Sequence, residues 1–199
     1  MGIKEIKLGF LNNRSQGFNN SGSNSFSSLF RRSDQSARHK GTRVHNLLQN
    51  IVLDNVLGET DEYFEACQNF MSSESSPFYK FKMGRFFPEY KSSVLVGAKP
   101  FTYIIDLLMF DVDGIGFCVD YKTCSVLPSV PADLDRLQVI TYCYCVGREF
   151  DVPADRLVAQ IYYLDISDPK KFLVKRFSYR MTAQMLKDME SVLVSKIVK

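Results

Sequence analysis

The chain has 199 residues, 45% hydrophobic and 24% charged, with a net charge of +3. These proportions belong to a globular protein with a core of its own, and they exclude a disordered or fibrous chain. No apolar run approaches the ~20 residues of a membrane span, and the cysteines, Cys67, Cys118, Cys124, Cys143 and Cys145, are odd in number and lack C-x-x-C spacing, which argues against a zinc or disulfide framework and for a reducing compartment.

The charge is unevenly spread. Residues 1–41 hold seven Lys or Arg against Glu5 and Asp34, a local net of +5 that leaves −2 for the remainder. A basic arm on a nearly neutral body suits an anionic partner such as nucleic acid; a solvated tail is the plainer reading. Residues 11–28 are rich in Asn, Ser and Gly and bury too little apolar surface to fold alone. The arm, with Arg and Ser and few acids, also has the composition of an organelle transit peptide. The chain divides on this reading into an arm, residues 1–40, and a folded domain, residues 41–199.

From Arg43 onward, Val44, Leu47, Leu48, Ile51 and Val52 recur at helical spacing, and this helix is expected to end near Gly58. Thr60 suits the N-cap of a second helix with Tyr63, Phe64, Cys67, Phe70 and Met71 on its buried side. Phe78–Val96 reads as a strand pair broken by Gly84 and Pro88. Phe101–Phe110 and Ile115–Lys122 read as a central hairpin turning at Asp113-Gly114, the pair that a two-residue turn prefers. A helix follows with Asp133 at its N-cap and Gly147 as its stop; Arg156–Leu164 and Phe172–Tyr179 are strands, and Thr182 caps a last helix. The fold class is α/β (α+β), a mixed sheet with helices packed on it.

Within the hairpin, Asp120 and Lys122 are two apart in a strand and share a face, while Val119 and Tyr121 point the other way. Asp106 lies inside the apolar stretch Phe101–Phe110, where an uncompensated carboxylate is costly. Hard oxygen ligands at Asp106 and Asp120 suit Mg²⁺ or Mn²⁺, and an adjacent ammonium suits phosphodiester hydrolysis. A structural ion network of the two acids with Lys122 is the bland alternative.

The ordered set Gly41-Thr-Arg-Val-His45, Glu89, Asp106, Asp120-Tyr-Lys122 and Gln138-x-x-x-Tyr142 resembles the PD-(D/E)XK nuclease superfamily. Its nearest likeness is the RecB-like branch, which takes in CRISPR adaptation nucleases and mitochondrial genome maintenance exonucleases. The resemblance implies a restriction-endonuclease-like core in which His45, Asp106, Asp120 and the backbone carbonyl of Tyr121 hold the metal. Lys122 would serve the attacking water, with Glu89, Gln138 and Tyr142 as auxiliary residues. It also implies a DNA exonuclease working on single strands or frayed ends in replication, repair or recombination, in the bacterial or phage cytoplasm or the mitochondrial matrix. The four cysteines that ligate an iron–sulfur cluster in many RecB-like relatives have no counterpart, so no such cluster is expected.

Arg38, Lys40, Arg43, Lys82 and Arg85 are candidate phosphate contacts, with Arg31, Arg32, Tyr79, Lys80 and Phe86 beside them. The chain has no helicase motif, which leaves a separate helicase or polymerase as an expected partner. Two rivals stand beside the exonuclease: a flap-processing endonuclease with the same site, and a scaffold that binds nucleic acid without cutting.

Overall fold

Two apolar faces on the central strands, read from their alternation, require helices on both sides of the sheet. The computed structural model describes residues 26–55, 61–79, 81 and 84–197. In chain order the elements are α1 (Phe26–Val52), α2 (Phe64–Ser72), β1 (Arg85–Val96), β2 (Lys99–Phe110), β3 (Gly116–Cys124), α3 (Asp133–Phe150), β4 (Leu157–Asp165), β5 (Leu173–Arg180) and α4 (Ala183–Ile197). The strands form one mixed sheet in the order β1-β2-β3-β4-β5, antiparallel except for the β3–β4 pair. Parallel neighbours need a long crossover, and α3 supplies it.

α1 and α2 cover one face, where Val44, Leu47, Leu48, Cys67 and Phe70 pack on Leu107, Met109, Val119, Tyr121 and Tyr162. α3 and α4 cover the other, with Val139, Cys143, Met189 and Leu193 on Ile105, Leu108, Cys118, Ala159 and Ile161. The split of Val119 and Tyr121 from Cys118 follows the alternation read in the sequence. Among the described residues no helix is long and apolar enough to cross a membrane.

Several boundaries differ from the sequence reading. α1 begins at Phe26 rather than at Arg43, so position 40/41 lies inside a helix; residues 38–40 are exposed and carry no apolar stripe to read. The expected strand pair over 78–96 is a set of turns through Tyr79 followed by the single strand β1. α3 runs through Gly147 and ends where Asp151 turns left-handed (φ 53°). Gly147 is a packing residue, because a Cβ there would lie 3.2 Å from Leu157 Cδ1. The N-cap of α3 is Ala132, one residue before Asp133, which opens the helix. The N-cap of α2 is Tyr63 rather than Thr60, which lies outside the described residues, whereas Thr182 does cap α4, its Oγ1 accepting the Met185 N–H at 3.2 Å.

The central hairpin turns differently too. Phe110 pairs with Gly116, so the loop is 111–115 rather than Asp113-Gly114 alone. Asp111 Oδ1 accepts the amides of Asp113 (3.0 Å) and Ile115 (2.8 Å), and Gly114 takes a φ of 76°. An aspartate side chain thereby stands in for backbone turn contacts.

Candidate active site

The site begins where two strands part. β2 and β3 pair from Phe110↔Gly116 to Leu107↔Val119, and the ladder stops there. The next positions in that register are Asp106 and Asp120, at the mouth of the opening. Asp106 Oδ2 reaches across it to accept the backbone N–H of Tyr121 at 2.7 Å, which fixes the carboxylate against β3.

A second irregularity brings Glu89 in. Along β2, Tyr103 and Ile105 face the α3–α4 core, and so do Leu108 and Phe110. Both Asp106 and Leu107 therefore turn toward α1. On β1 the same slip occurs, since Phe87 and Tyr90 pack on the α3–α4 core while Pro88 and Glu89 line the cleft under α1. Glu89 takes a left-handed φ of 48°, an unusual conformation for a residue with a Cβ. Such strain persists where surrounding structure imposes it, and it clusters at functional sites.

α1 closes the cleft. Gly41 packs on Thr123, and a Cβ at that position would sit 2.7 Å from Thr123 Oγ1. One turn later His45 reaches the acids, with Nδ1 at 3.5 Å from Asp106 Oδ2. One ligand atom each from His45, Glu89 and Asp106 all lie within 4.8 Å of one another. An ion with ~2.1 Å bonds spans ~4.2 Å between opposite ligands, so small side-chain rotations separate this trio from a coordination shell. Two carboxylates and one imidazole also match the donor chemistry of a divalent cation site, Mg²⁺ or Mn²⁺ among them.

On the far side of β3, Asp120 is 1% exposed, and its Oδ2 lies 2.6 Å from Lys122 Nζ. The ammonium also donates to Gln138 Oε1 at 3.2 Å, and Gln138 Nε2 donates to the Tyr142 hydroxyl. Asp135 Oδ1 stands 4.0 Å from Lys122 Nζ, and its Oδ2 accepts the Tyr163 hydroxyl at 2.7 Å. The structure thus joins Asp120, Lys122, Gln138 and Tyr142, and adds Asp135 and Tyr163, which the sequence reading omits. Asp135 sits one helical turn before Gln138, a spacing that the sequence displays.

The charges in this site hold one another. Burial pushes the His45 imidazole down, but its hydrogen bond to Asp106 and the charges of Asp106 and Asp120 outweigh that and raise its pKa. Burial opposes ionisation of Asp106 as well, yet His45 and Lys122 bring it below the ordinary carboxylate value. For Lys122, desolvation is overcome by Asp120, and the ammonium is held more firmly than usual. Burial, with Asp120 and Asp106 beside it, drives the Tyr142 phenol well up, which leaves it a neutral hydrogen-bonding group.

The candidate phosphate contacts scatter. Arg43 is engaged by Asp61 (2.7 Å) and Glu62 (3.1 Å) and lies over the Tyr63 ring. Arg38 and Lys40 are exposed on α1. Arg85 opens β1, about 13 Å of strand before Glu89. Lys82 and Lys80 lie outside the described residues, as do the side chains of Arg31 and Arg32.

Comparisons with known proteins meet this geometry. The family model of the PD-(D/E)XK nuclease superfamily matches residues 23–196. No curated protein matches the chain. Among solved structures, one titled "Crystal structure of SSO0001" is similar, at 12% identity and a TM-score of 0.36, over 57% of this chain and 51% of that one. The chain thus spans about half the length of that structure. The family match covers most of the sequence, and the chain belongs to the PD-(D/E)XK nuclease superfamily. Its mixed sheet, with four helices among the described residues, fits the restriction-endonuclease-like fold. Nucleases of this superfamily are hydrolases that use divalent metals and act on nucleic acid.

Proposed function

We propose that this superfamily member is a Mg²⁺- or Mn²⁺-dependent DNA exonuclease of RecB-like type, hydrolysing phosphodiester bonds at single-stranded or frayed ends. The observation that supports the reading is the trio His45, Glu89 and Asp106, with the Asp120–Lys122 pair near enough for its charges to act on His45 and Asp106. His45, Glu89 and Asp106 would hold the divalent ion, with Asp120 and the Tyr121 backbone beside them. When bound, the ion supplies an acidified water and offsets charge on the phosphate.

The protein groups supply orientation. Lys122 pairs with Asp120 and donates to Gln138, and with three donors on an ammonium it can also serve a water or a phosphate oxygen. Gln138 and Tyr142 keep the ammonium at the mouth of the gap. Asp106, tied to the Tyr121 amide, keeps β3 from drifting off the cleft. The exonuclease mode rests on the resemblance of the ordered motifs to RecB-like enzymes.

The test uses labelled linear and circular DNA, and matched RNA, with Mg²⁺, Mn²⁺ or EDTA. Metal-dependent loss of linear DNA alone, abolished in Asp120→Ala and Lys122→Ala, is the expected result. Cutting of circles would replace the exonuclease with an endonuclease, and binding without metal-dependent loss would leave a scaffold.

A further inference from the structure

A groove adjoins the site on the α1 side. It holds about 570 Å³ and is lined by Ser36 and Lys40 of α1, Thr123, Cys124 and Ser125 at the end of β3, and Ile166 and Ser167 after β4. Its position follows from two spacings. Gly41 and His45 share a helix face one turn apart, and Tyr121 and Thr123 share a strand face two residues apart. The groove therefore starts about 6 Å beyond the His45–Asp106 contact, roughly the distance from one phosphate to the next along a single strand.

The floor is fixed. Ile166 N–H donates to Cys124 O at 3.0 Å, and the Ser167 hydroxyl donates to Ser125 O at 3.4 Å, stapling the ends of β3 and β4. Among the described residues the acids beside the groove, Asp165 and Asp168, are turned into their own loop, where they accept the Ser167 amide at 2.9 Å and the Lys170 amide at 2.8 Å. Facing the groove are the Lys40 amine and the hydroxyls of Ser36, Thr123 and Ser125, a donor set for phosphate oxygens, with Cys124 and Ile166 giving it apolar surface between them. Close approach of α1 at Gly41 makes the inner wall, since any side chain there would push against Thr123.

We infer that this groove binds the phosphodiester backbone of a single nucleic-acid strand one or two nucleotides from the bond that is cut, with Lys40 and Ser125 as its main phosphate contacts. The inference takes its substrate class from the nuclease reading above, but the groove is tested apart from cutting.

The full chain in EDTA is titrated into fluorescein-labelled oligothymidylate and oligouridylate, and anisotropy is followed across a series of NaCl concentrations. Lys40→Ala/Ser125→Ala is expected to weaken binding about tenfold or more and to flatten the salt slope by about 0.7. Mn²⁺ affinity, measured by calorimetry, stays at the wild-type value and shows that the site is intact. Lys91→Ala, an exposed lysine of β1 that does not line the groove, leaves binding unchanged. The oligonucleotide that binds more tightly names the source of the phosphodiester. Wild-type protein that binds neither, binding untouched in the double variant, or loss in Lys91→Ala instead would each overturn the groove. If groove variants lose binding while wild-type protein never cuts, the groove stands and the nuclease reading falls.

Discussion

Replacing Lys122 with methionine removes a charge while keeping most of the stem. Asp120 is 1% exposed and 2.6 Å from the ammonium, and Asp135 adds a second acid at 4.0 Å. Removing one partner of a buried pair costs about 3–5 kcal/mol, because the other charge is left uncompensated. The lysine side chain is 22% exposed, so water reaches this side of the pair and the lower part of that range applies, about 3–4 kcal/mol. In a domain of this size each kcal/mol moves Tm by about 2–4 °C. Lys122→Met should therefore melt about 6–16 °C below wild type by calorimetry in EDTA. Asp120→Asn in the same chain should recover much of the loss, because contacting charges are not additive. A drop under about 2 °C, or strictly additive costs in the double variant, would refute the argument that Asp120 depends on Lys122.

The remaining expectations concern the metal trio and its supports. Wild-type protein should bind Mn²⁺ in calorimetry, and His45→Ala, Glu89→Gln and Asp106→Asn should each weaken it by at least about tenfold; full affinity in Glu89→Gln would remove Glu89 from the trio. Gly41→Ala forces a Cβ against Thr123 Oγ1 at an overpacking cost of about 1–3 kcal/mol, which should lower both Tm and Mn²⁺ affinity by displacing His45. Thr123→Ala in the same chain should restore the affinity, and a failure of that rescue would show that the contact is not the cause. Because Asp61 and Glu62 already hold its guanidinium, Arg43→Ala should leave oligonucleotide affinity in EDTA unchanged, a weakened anisotropy titration being the contrary result.

Periodicity within one strand or helix made part of this site legible. The Asp120–Lys122 face, the Gln138–Tyr142 pair and the His45 stripe each follow from a single element and a fixed spacing. Arg43 reads as a free cation from composition, but its partners, Asp61 and Glu62, come from the turn just before α2, which no spacing in α1 reveals. Glu89 and Asp106 are harder for a different reason: both strands lose their period of two at the same point. Pro88 is the visible sign, since it cannot donate to the ladder and falls opposite Leu107, but its consequence, Glu89 turned left-handed into the cleft, depends on what β2 does beside it.

The central hairpin shows how much rides on one turn. A two-residue Asp113-Gly114 loop would set Val112 opposite Ile115 and so place Asp106 opposite Tyr121. The observed loop, with Asp111 gathering two amides, puts Phe110 opposite Gly116 instead, and Asp106 falls opposite Asp120. A one-residue slip exchanges the faces of a strand, so under the shorter loop the two acids would have been out of step across the gap. The side chain of Asp111, about five residues of strand away from the chemistry, therefore helps to decide which residue of β3 lies across from Asp106. Sequence patterns name the faces; the turn sets which faces are opposed.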